Sequence, residues 1–493
     1  MISRILVGTV TAGLVIAVAA PSFAQPADPP QTQTSAETAQ ASNKSKQMKK
    51  AQKWARKSKA LDARICRSGN YPALKTSVGS GAYLMTQQRW QKFGGTAFAA
   101  RPNKASRRDQ NLVAWRMFKS SGWNNLGCPR ADWMRAAYQR AKSTSLGEML
   151  IPGTHDSGSS LIDTDPPCTP QVIAGISAVF AQAAQVNPCG AADEARAQEE
   201  NLGDQLRGGV RYLDIRVGVP ANQVIDSPRP PAPDPLSVPL VLHHNYVSQS
   251  LTKGLRQVLK YTAAHPAEQV ILDFQHLDLT GNQAIDEYYY QALLDILMEF
   301  QAEDSGPTVC EAAWTRDIVG LPDGEVAMGV PVGDMWQSGR SLLVLMPETG
   351  MPQDDCYFSR ELVIHSPWPN TDVPQASKDA NDGYLAERTQ RLDGDQCVDA
   401  SGNDWCVLFV NQLQLTPSAV NYANCVFNKV GDNCSLHALA RLVNDKVAGY
   451  MTDWTTSGEP TNIEIIDYYE DSDPSVADQM IRLNWQRTGQ WPR

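Results

Sequence analysis

Short apolar runs rich in Val, Ile and Leu recur along the chain from about residue 146 onward, with loops or helical stretches between them. A continuous apolar run indicates a strand buried on both faces, whereas a half-exposed strand alternates apolar and polar residues. Eight runs of this kind occur: EMLIP, RYLDIRV, LVLHH, QVILDFQH, SLLVLMP, LVIHS, CVLFVN and IEIIDYY.

Amphipathic stretches lie between several of these runs: SLTKGLRQVLKYTAAHP, NQAIDEYYYQALLDILMEFQAE and SLHALARLVNDKVAGYMTDW. Strand–helix alternation over eight strand candidates predicts an α/β fold of the (β/α)8 or TIM-barrel type. A doubly wound open sheet is the alternative, but no Gly-rich phosphate loop follows any of the runs. The Pro-rich stretch VIDSPRPPAPDPLSVP is predicted to be a loop inserted between the second and third strands.

The N-terminal residues 1–24 are typical of a secretory signal peptide. Arg4 precedes the apolar run ILVGTVTAGLVIAVAA, and small residues at Ser22 and Ala24 favour cleavage after Ala24. The run is short for a membrane span, so a retained anchor is the less favoured alternative, and the mature chain is expected to carry no transmembrane span. Residues 25–45 are rich in Pro, Gln, Ser and Thr and are predicted to be a flexible linker. We therefore expect a secreted or periplasmic protein.

Residues 46–140 are strongly basic, and the charge of the chain is unevenly distributed. Lys44 to Arg140 holds 22 Lys/Arg against 3 Asp/Glu, whereas residues 141–493 hold 21 against 48. The basic region is predicted to be a mainly helical extension of a barrel domain over residues 146–493. Its five tryptophans either pack on that domain or, with the basic residues, form an attachment surface for anionic lipid or cell wall. The five are Trp54, Trp90, Trp115, Trp123 and Trp133.

The ten cysteines fit an exported protein in an oxidising compartment. Neighbours in sequence suggest the local disulfides Cys168–Cys189, Cys397–Cys406 and Cys425–Cys434. Metal binding by these cysteines is disfavoured because the chain has no CxxC motif and does not interleave its cysteines with histidines at ligand spacing.

Polar residues stand at the C-terminal ends of several strand candidates, which is where a TIM barrel builds its active site. Two or three imidazoles, several carboxylates and one arginine at a barrel mouth suit acid–base chemistry on an anionic group. Burying so many ionisable groups without a task is costly, although each one alone could be structural. These residues are His155, Asp156, Asp214, Arg216, His243, His244, Asp273, Gln275, His276 and Asp467.

Four stretches of the sequence resemble the phosphatidylinositol-specific phospholipase C X-domain family: LIPGTHDSGSS, GVRYLDIRV, LVLHHNYVSQSLTKGLRQVLKYTAAHPAEQVILDF and NIEIIDYY. The resemblance is closest to the secreted bacterial and X-domain-only branches, and it covers residues 146–280 well and 400–490 loosely. It implies a distorted TIM barrel that cleaves the phosphodiester of a phosphoinositide at a membrane surface. The products would be diacylglycerol and a (cyclic) inositol phosphate, and no nucleic acid would be involved.

The same resemblance implies roles for two histidine–carboxylate couples. His155 would be the general base that deprotonates the inositol 2-hydroxyl, with Asp467 orienting it. His244 would be the general acid for the diacylglycerol oxygen, with Asp156 as its carboxylate partner. The adjacent residues His155 and Asp156 would then serve different couples.

The resemblance also implies that Arg216 neutralises the non-bridging phosphate oxygens and that Asp214 holds Arg216. An arginine in this place favours a mechanism without a cofactor, since a planar guanidinium grips phosphate bidentately. The alternative is a Ca²⁺ ion gathered by Asp156, Asp214 and Asp273. Asn245 follows the acid where the family usually has Gly, and the turn can survive because Asn tolerates positive φ.

The residues that grip the head group are not assignable from the sequence. Weak candidates for substrate binding are Gln275, His276, Trp368 and Gln412. Two alternatives to a phosphatidylinositol phosphodiesterase therefore stay open. One is a non-catalytic X-domain that binds a partner or surface, and the other is a phosphodiesterase for another glycerophosphodiester or a glycosyl-phosphatidylinositol anchor.

Overall fold

The computed structural model describes most of the chain beyond residue 45. The chain divides into two compact units, Met1–Gln47 and Met48–Arg493, and the second unit contains the sheet and the helices bounded below. The predicted signal peptide and linker lie outside the described residues. The described ranges are 46–55, 80–83, 85–121, 144–227, 234–265, 268–303, 306–315, 331–332, 338–348, 351–352, 354–394, 396–428, 434–472 and 475–487.

The sheet has ten strands, and each of the eight predicted apolar runs overlaps one of them. Eight strands pair in parallel in the order β7–β6–β5–β2–β1–β10–β9–β8. Strands that follow one another in the chain are therefore adjacent in the barrel, once β3 and β4, which lie between β2 and β5 in sequence, are set aside. Among the described residues no ladder joins β7 to β8, and the barrel is a distorted (β/α)8 barrel whose wall is open there. The strands are β1 Ile151–Thr154, β2 Tyr212–Gly218, β3 Val241–His244, β4 Tyr246–Ser250, β5 Val270–Asp278, β6 Leu342–Met346, β7 Phe358–Ser359, β8 Ile364–His365, β9 Leu408–Gln412 and β10 Ile463–Ile466.

The third predicted strand, LVLHH, is a strand but not one of the eight parallel ones. As β3 it runs antiparallel to the end of β2, pairing Leu242 with Val217, and it forms a hairpin with β4. The fifth position around the barrel falls instead to β7, which has two residues, too few for an apolar run to reveal. The antiparallel pairing places the start of β3 beside the C-terminal end of β2.

Thirteen α-helices are bounded below, residues 46–55 are also helical, and the three predicted amphipathic stretches form α6, α7 and α12. Ser250 caps α6 by accepting from the backbone N–H of Lys253, and Ser435 caps α12 in the same way. No helix in the described part of the chain is both long and apolar enough to cross a membrane. The helices are α1 Gln87–Lys92, α2 Arg107–Ser121, α3 Ala178–Val186, α4 Pro188–Asp193, α5 Leu202–Gly208, α6 Leu251–Ala264, α7 Gln283–Glu299, α8 Val309–Ala312, α9 Arg360–Val363, α10 Pro374–Gly394, α11 Ala419–Ala423, α12 Leu436–Ser457 and α13 Val476–Arg487.

Alternate residues of each strand bury themselves in two different cores, as expected for strands covered on both faces. Ile463 and Ile465 pack with Ile271 inside the barrel. Leu272 and Ile466 face outward and pack in the larger cluster between the barrel and its helices. Both faces are therefore dry, and polar side chains gather at the strand ends.

The described part of the basic extension builds a small core of its own. Trp54 and Trp90 are buried in one hydrophobic cluster. All of its members lie between residues 54 and 118, so both tryptophans pack within the extension. Arg107 of the extension forms an ion pair with Asp478 on α13, from Nη2 to Oδ1 at 2.7 Å. Trp123 and Trp133 lie outside the described residues, and the predicted domain limits remain predictions.

Disulfides tie several of the long connections. The three predicted pairs, Cys168–Cys189, Cys397–Cys406 and Cys425–Cys434, are confirmed, and a fourth joins Cys310 to Cys356. The remaining two cysteines lie outside the described residues.

Glu464 on β10 is a carboxyl group in the outer core. Its side chain is fully buried, and neither carboxyl oxygen has a hydrogen-bond partner among the described residues. Burial raises its pKa well above the ordinary value of 4.5. Because the pKa of Glu464 is higher in the folded than in the unfolded chain, its contribution to stability is fully present below pH 4.5. This contribution is lost as the pH rises towards the folded-state pKa.

We expect Glu464→Gln to become more stabilising as the pH rises. The ionisation of the unfolded chain costs about 1.4 kcal/mol per pH unit, so the difference between variant and wild type should grow by about 2–3 kcal/mol from pH 5 to pH 7. Urea unfolding at both pH values measures this difference. The exposed Glu299→Gln is the control, and an equal pH dependence for Glu464→Gln and wild type would contradict the interpretation.

Candidate active site

Three strand ends at the barrel mouth turn through left-handed backbone at residues other than glycine. Asp156 after β1 has φ 44°, Asn245 after β3 has φ 63° and Tyr468 after β10 has φ 46°. Such residues cost about 1–3 kcal/mol each and persist where the surroundings hold them. Each follows directly on the predicted base, the predicted acid or the predicted orienting carboxylate, and Asn245 adopts the positive φ that its place in the turn requires.

His155 lies between two carboxylates and a guanidinium. Its Nδ1 is 2.8 Å from Oδ1 of Asp467, although 312 residues separate the two in sequence. Its Nε2 is 3.1 Å from Oδ2 of Asp156 and 3.1 Å from Nη2 of Arg216. When Nδ1 donates to Asp467, an unprotonated Nε2 can accept from Arg216, whereas a protonated Nε2 forms an ion pair with Asp156.

The balance of burial and charge makes His155 a strong base. Burial alone would lower its pKa, but the carboxylates of Asp156 and Asp467 outweigh burial and raise the pKa to about 9. Asp467 is itself buried, and burial raises its pKa although His155 and Arg216 act against the rise. The resting imidazole therefore carries a proton at neutral pH.

His244 has the opposite character. Its Nδ1 lies 2.8 Å from the backbone oxygen of Ala195 and 3.0 Å from Oδ2 of Asp156. Burial, together with the positive charges of Arg216 and His155, lowers its pKa well below the ordinary value. The ring is thus neutral at rest, Nδ1–H faces the two acceptors, and its centroid is 5.8 Å from that of His155.

Arg216 forms an ion pair with Asp156, through Nε and Oδ1, more closely than with Asp214. Its Nη2 is 3.9 Å from Oδ2 of Asp214. That oxygen instead accepts a hydrogen bond from the backbone N–H of Asp156 at 3.0 Å. The strand register between β2 and β5 shifts between Ile215 and Arg216. The sequence assigned Asp214 to Arg216, whereas the structure places it chiefly against the turn that carries Asp156.

Asp156 lies beside His155, His244 and Arg216. It is fully buried, and burial raises its pKa to about 7 despite the opposing effect of Arg216 and His155. Both predicted couples, His155 with Asp467 and His244 with Asp156, are within hydrogen-bond reach. The prediction that His155 and Asp156 serve only separate couples is incomplete, because one oxygen of Asp156 reaches both rings.

Asp273 does not join the other carboxylates. Arg360 Nε donates to both of its oxygens at 2.9 and 3.1 Å, and the hydroxyl of Tyr212 donates at 2.5 Å. The side chains that bring potential metal-ligand atoms within 4.8 Å of one another at the described mouth are His155, Asp156 and Asp214. The three aspartates named from the sequence are therefore not gathered as one ligand set, and Arg216 pairs with Asp156.

The four weak substrate candidates have different surroundings. Gln275 is half-buried and His276 is exposed at the end of β5. Gln412 is buried, and its amide donates to the hydroxyl of Ser366 at 2.9 Å, so its donor already joins two loops. Trp368 is 51% exposed and donates from Nε1 to a threonine hydroxyl. The side chains of Gln275, His276 and Trp368 therefore remain accessible to solvent, whereas that of Gln412 does not.

Sequence reasoning missed three contributors to the site. Gln198 donates to the backbone oxygen of His155 at 2.8 Å, and Asn444 donates to that of Asp467 at 2.8 Å. The third contributor is the backbone carbonyl of Ala195. An amide side chain in a loop or helix carries no strand-end signal, and a backbone carbonyl carries no residue-type signal at all.

Curated relatives resemble this chain over most of its length. The human PI-PLC X domain-containing protein 3 is 23% identical over 376 residues, which cover 75% of this chain and 97% of the relative. A Danio rerio protein of the same name is 22% identical over 69% of this chain and 89% of the relative. This chain is a homologue of the PI-PLC X-domain proteins. The family resemblance read from the sequence is confirmed.

Shorter and more distant matches also occur. The human PI-PLC X domain-containing protein 2 is 26% identical over 166 residues, which is 33% of this chain and 48% of the relative. The phosphatidylinositol-specific phospholipase C from Listeria monocytogenes aligns over 70% of this chain and 97% of its own with TM-score 0.41 and 16% identity. A variant of the Staphylococcus aureus enzyme aligns over 69% and 94% with TM-score 0.39 and 17% identity. A family model described as a transglycosylase-like domain matches residues 58–128.

We expect Asp156→Asn to lower the pKa of His155. The Asp156 carboxylate is the largest of the charges that raise this pKa, and the amide removes it without changing the shape of the side chain. Histidine-selective NMR titration measures the shift. Asp165→Asn, an exposed position in the loop after β1, is the matched control. A His155 pKa unchanged in Asp156→Asn would contradict the electrostatic account.

Proposed function

We propose that this protein is a phosphodiesterase that cleaves phosphatidylinositol-type lipids by general acid–base catalysis. The observation that carries the proposal is the convergence of two imidazoles, Arg216 and the Asp156 carboxylate at one barrel mouth. Burial and neighbouring charges displace the pKa values of His155 and His244 in opposite directions, and strongly perturbed pKa values are typical of functional sites. The similarity to the PI-PLC X-domain proteins supports the lipid class.

In the proposed reaction His155 Nε2 takes the proton of the inositol 2-hydroxyl, and the resulting oxygen attacks phosphorus. Nδ1 donates to Asp467 at 2.8 Å throughout, which fixes the tautomer and stabilises the imidazolium. The resting proton on His155 must leave first. The base step should therefore become faster as the pH rises through the pKa of His155.

The leaving diacylglycerol oxygen takes a proton from Nε2 of His244 as its bond to phosphorus breaks. His244 is neutral at rest because burial and two neighbouring positive charges lower its pKa. A phosphate beside the ring adds negative charge and engages Arg216, and both changes raise the pKa of His244. The substrate itself thus helps to protonate the acid.

Arg216 supplies the positive charge for the non-bridging phosphate oxygens in this proposal. A guanidinium gives two parallel N–H donors and stays ionised, and the carboxylate of Asp156 raises its pKa further against burial. We propose that no metal ion is needed. Ca²⁺ held by Asp156 and Asp214 is the alternative, and its chemistry would be the same neutralisation of phosphate charge.

We propose that the protein acts outside the cytoplasm. Every described cysteine lies in a disulfide, and disulfides are typical of proteins in an oxidising compartment. The substrate would be reached at a membrane surface. A glycosyl-phosphatidylinositol anchor or another glycerophosphodiester would present the same phosphodiester to the same residues.

Purified protein should convert phosphatidylinositol in mixed vesicles to diacylglycerol and cyclic inositol phosphate, and EDTA should not change the rate. His155→Ala should lower the rate by about 10²–10⁴-fold, because a positioned acid or base contributes that much. His265→Ala, which removes an imidazole at the end of α6, is the matched control. Phosphorus NMR identifies the products.

Three outcomes separate the alternatives. Loss of activity on chelation, restored by Ca²⁺, would overturn the metal-free proposal. Cleavage of a glycosyl-phosphatidylinositol but not of phosphatidylinositol would change the substrate. Folded protein that turns over neither lipid yet binds vesicles would favour a non-catalytic X-domain.

We further propose that residues 58–128 bind cell-wall glycan without cleaving it. This segment matches a transglycosylase-like family model. Glycoside hydrolases typically use a pair of carboxylates, and the acidic residues of this segment are only Asp62 and Asp109 against 12 Lys/Arg. Asp109 accepts from the hydroxyl of Ser106 at 2.8 Å at the start of α2, so it has a structural task. The segment would anchor the exported enzyme near its membrane substrate.

Full-length protein should sediment with purified peptidoglycan, and no glycan fragments should be released. The triple variant Lys92→Gln/Arg101→Gln/Lys104→Gln removes three exposed charges of the extension and should weaken sedimentation at least tenfold. The control triple variant removes exposed charges from the barrel helices, at Lys253, Lys260 and Lys446. Equal sedimentation of both triple variants, or release of fragments by the wild type, would refute the binding proposal.

A further inference from the structure

A four-residue segment, Ala195–Gln198, contacts the ends of three strands that carry the site. It leaves the loop after α4 and passes β1, β3 and β10, using its backbone as well as one side chain. We propose that segment 195–198 is a positioning element that holds His155 and His244 in register, with Gln198 as its central residue. The kinetic part of this inference rests on the proposed phosphodiesterase function, whereas the geometric part does not.

Gln198 joins the ends of β1 and β10 through one buried amide. Its Nε2 donates to the backbone oxygen of His155 at 2.8 Å and to that of Ile466 at 3.0 Å. The oxygen of Ile466 also accepts from the backbone N–H of His155 at 3.2 Å. The amide is fully buried, so water cannot replace it at the two carbonyls. Gln198 therefore fixes where the main chain of His155 lies relative to β10.

The same segment holds the turn that follows the orienting carboxylate. The backbone N–H of Tyr468 donates to the oxygen of Ala197 at 2.8 Å, and the Tyr468 hydroxyl donates to the oxygen of Arg196 at 2.5 Å. From the opposite side, Asn444 donates to the backbone oxygens of Asp467 and Tyr468 at 2.8 and 3.0 Å. Four hydrogen bonds thus secure Tyr468, a residue in left-handed backbone directly after Asp467.

The first residue of the segment orients the other imidazole. The carbonyl of Ala195 is 2.8 Å from Nδ1 of His244, closer than the Asp156 carboxylate at 3.0 Å. An acceptor at Nδ1 fixes the tautomer and leaves Nε2 for the mouth. The backbone N–H of Ala197 also donates to the Ser159 hydroxyl at 3.0 Å, just beyond β1. One short segment thereby sets the positions of both rings.

Removing the Gln198 amide should leave the fold intact. β1 and β10 remain paired over four residues, and their apolar side chains remain buried. What changes is the support of the left-handed turns, whose strain is then free to relax. A displacement of about 1 Å in a catalytic group can cost about 100-fold in rate. The substitution should therefore lower kcat and change the NMR signals of the two imidazoles. It should have little effect on the stability of the secondary structure.

The test replaces Gln198 by Met, which keeps the length of the side chain and removes the donors. Gln479→Met is the matched control, because Gln479 is also buried and donates to a side-chain hydroxyl at 2.5 Å, but on α13. We expect Gln198→Met to lower kcat on phosphatidylinositol by about 10- to 100-fold with KM changed by less than about threefold. Gln479→Met should leave both constants near the wild-type values.

A second measurement does not depend on activity. Histidine-selective NMR should show altered ring signals and pKa for both His155 and His244 in Gln198→Met, and unaltered ones in Gln479→Met. Tyr468→Phe removes the other side-chain bond to the segment, so its effect on the His155 signals should be non-additive with that of Gln198→Met. Wild-type ring signals in folded Gln198→Met would overturn the inference. Altered ring signals in a protein inactive on every lipid would keep the inference and overturn the phosphodiesterase proposal.

Discussion

The buried carboxylate of Asp156 is the interaction on which the candidate site depends. Taking an ion out of water costs several kcal/mol, and here the positive charges of Arg216 and His155 offset part of the cost. One oxygen pairs with the guanidinium, and the other lies within 3.1 Å of both ring systems. If the carboxylate moved, the pKa of His155 would fall and Arg216 would lose its main partner. The position of Asp156 therefore couples the base, the acid and the phosphate-binding cation.

The barrel topology explains how these groups meet. Parallel strands end on one side of the barrel, so β1, β2 and β10 present His155, Arg216 and Asp467 at one mouth. The fourth contributor, His244, arrives differently, because β3 runs antiparallel against the end of β2 and forms a hairpin with β4. The departure from a regular barrel at this hairpin is what brings His244 within 3.0 Å of Asp156.

The sequence predicted the barrel and the polar strand ends because both depend on local patterns. Apolar runs indicate buried strands, and the pairing of His155 with Asp467 across 312 residues was implied by the family resemblance. The two-residue strand β7 and the antiparallel course of β3 could not be predicted, because length and direction come from tertiary packing. Asp273 carried the same strand-end signal as Asp214, yet Arg360 and Tyr212 hold it, and that pairing depends on side chains far apart in sequence. Gln198 and the carbonyl of Ala195 act through backbone geometry, which residue types do not encode.

The charges of the resting mouth bear on how a phosphodiester could enter it. Three carboxylates, Asp156, Asp214 and Asp467, face one guanidinium and the imidazolium of His155. An anionic phosphate adds to this negative charge in a buried place, where uncompensated charge is costly. Uptake of a proton would reduce this excess of negative charge, and the neutral His244 is the group placed to take it. Its low pKa results from burial and from positively charged neighbours, whose effect the phosphate would offset. Binding of an anion and protonation of the acid would then be one coupled event, which makes a site with displaced pKa values responsive to its substrate.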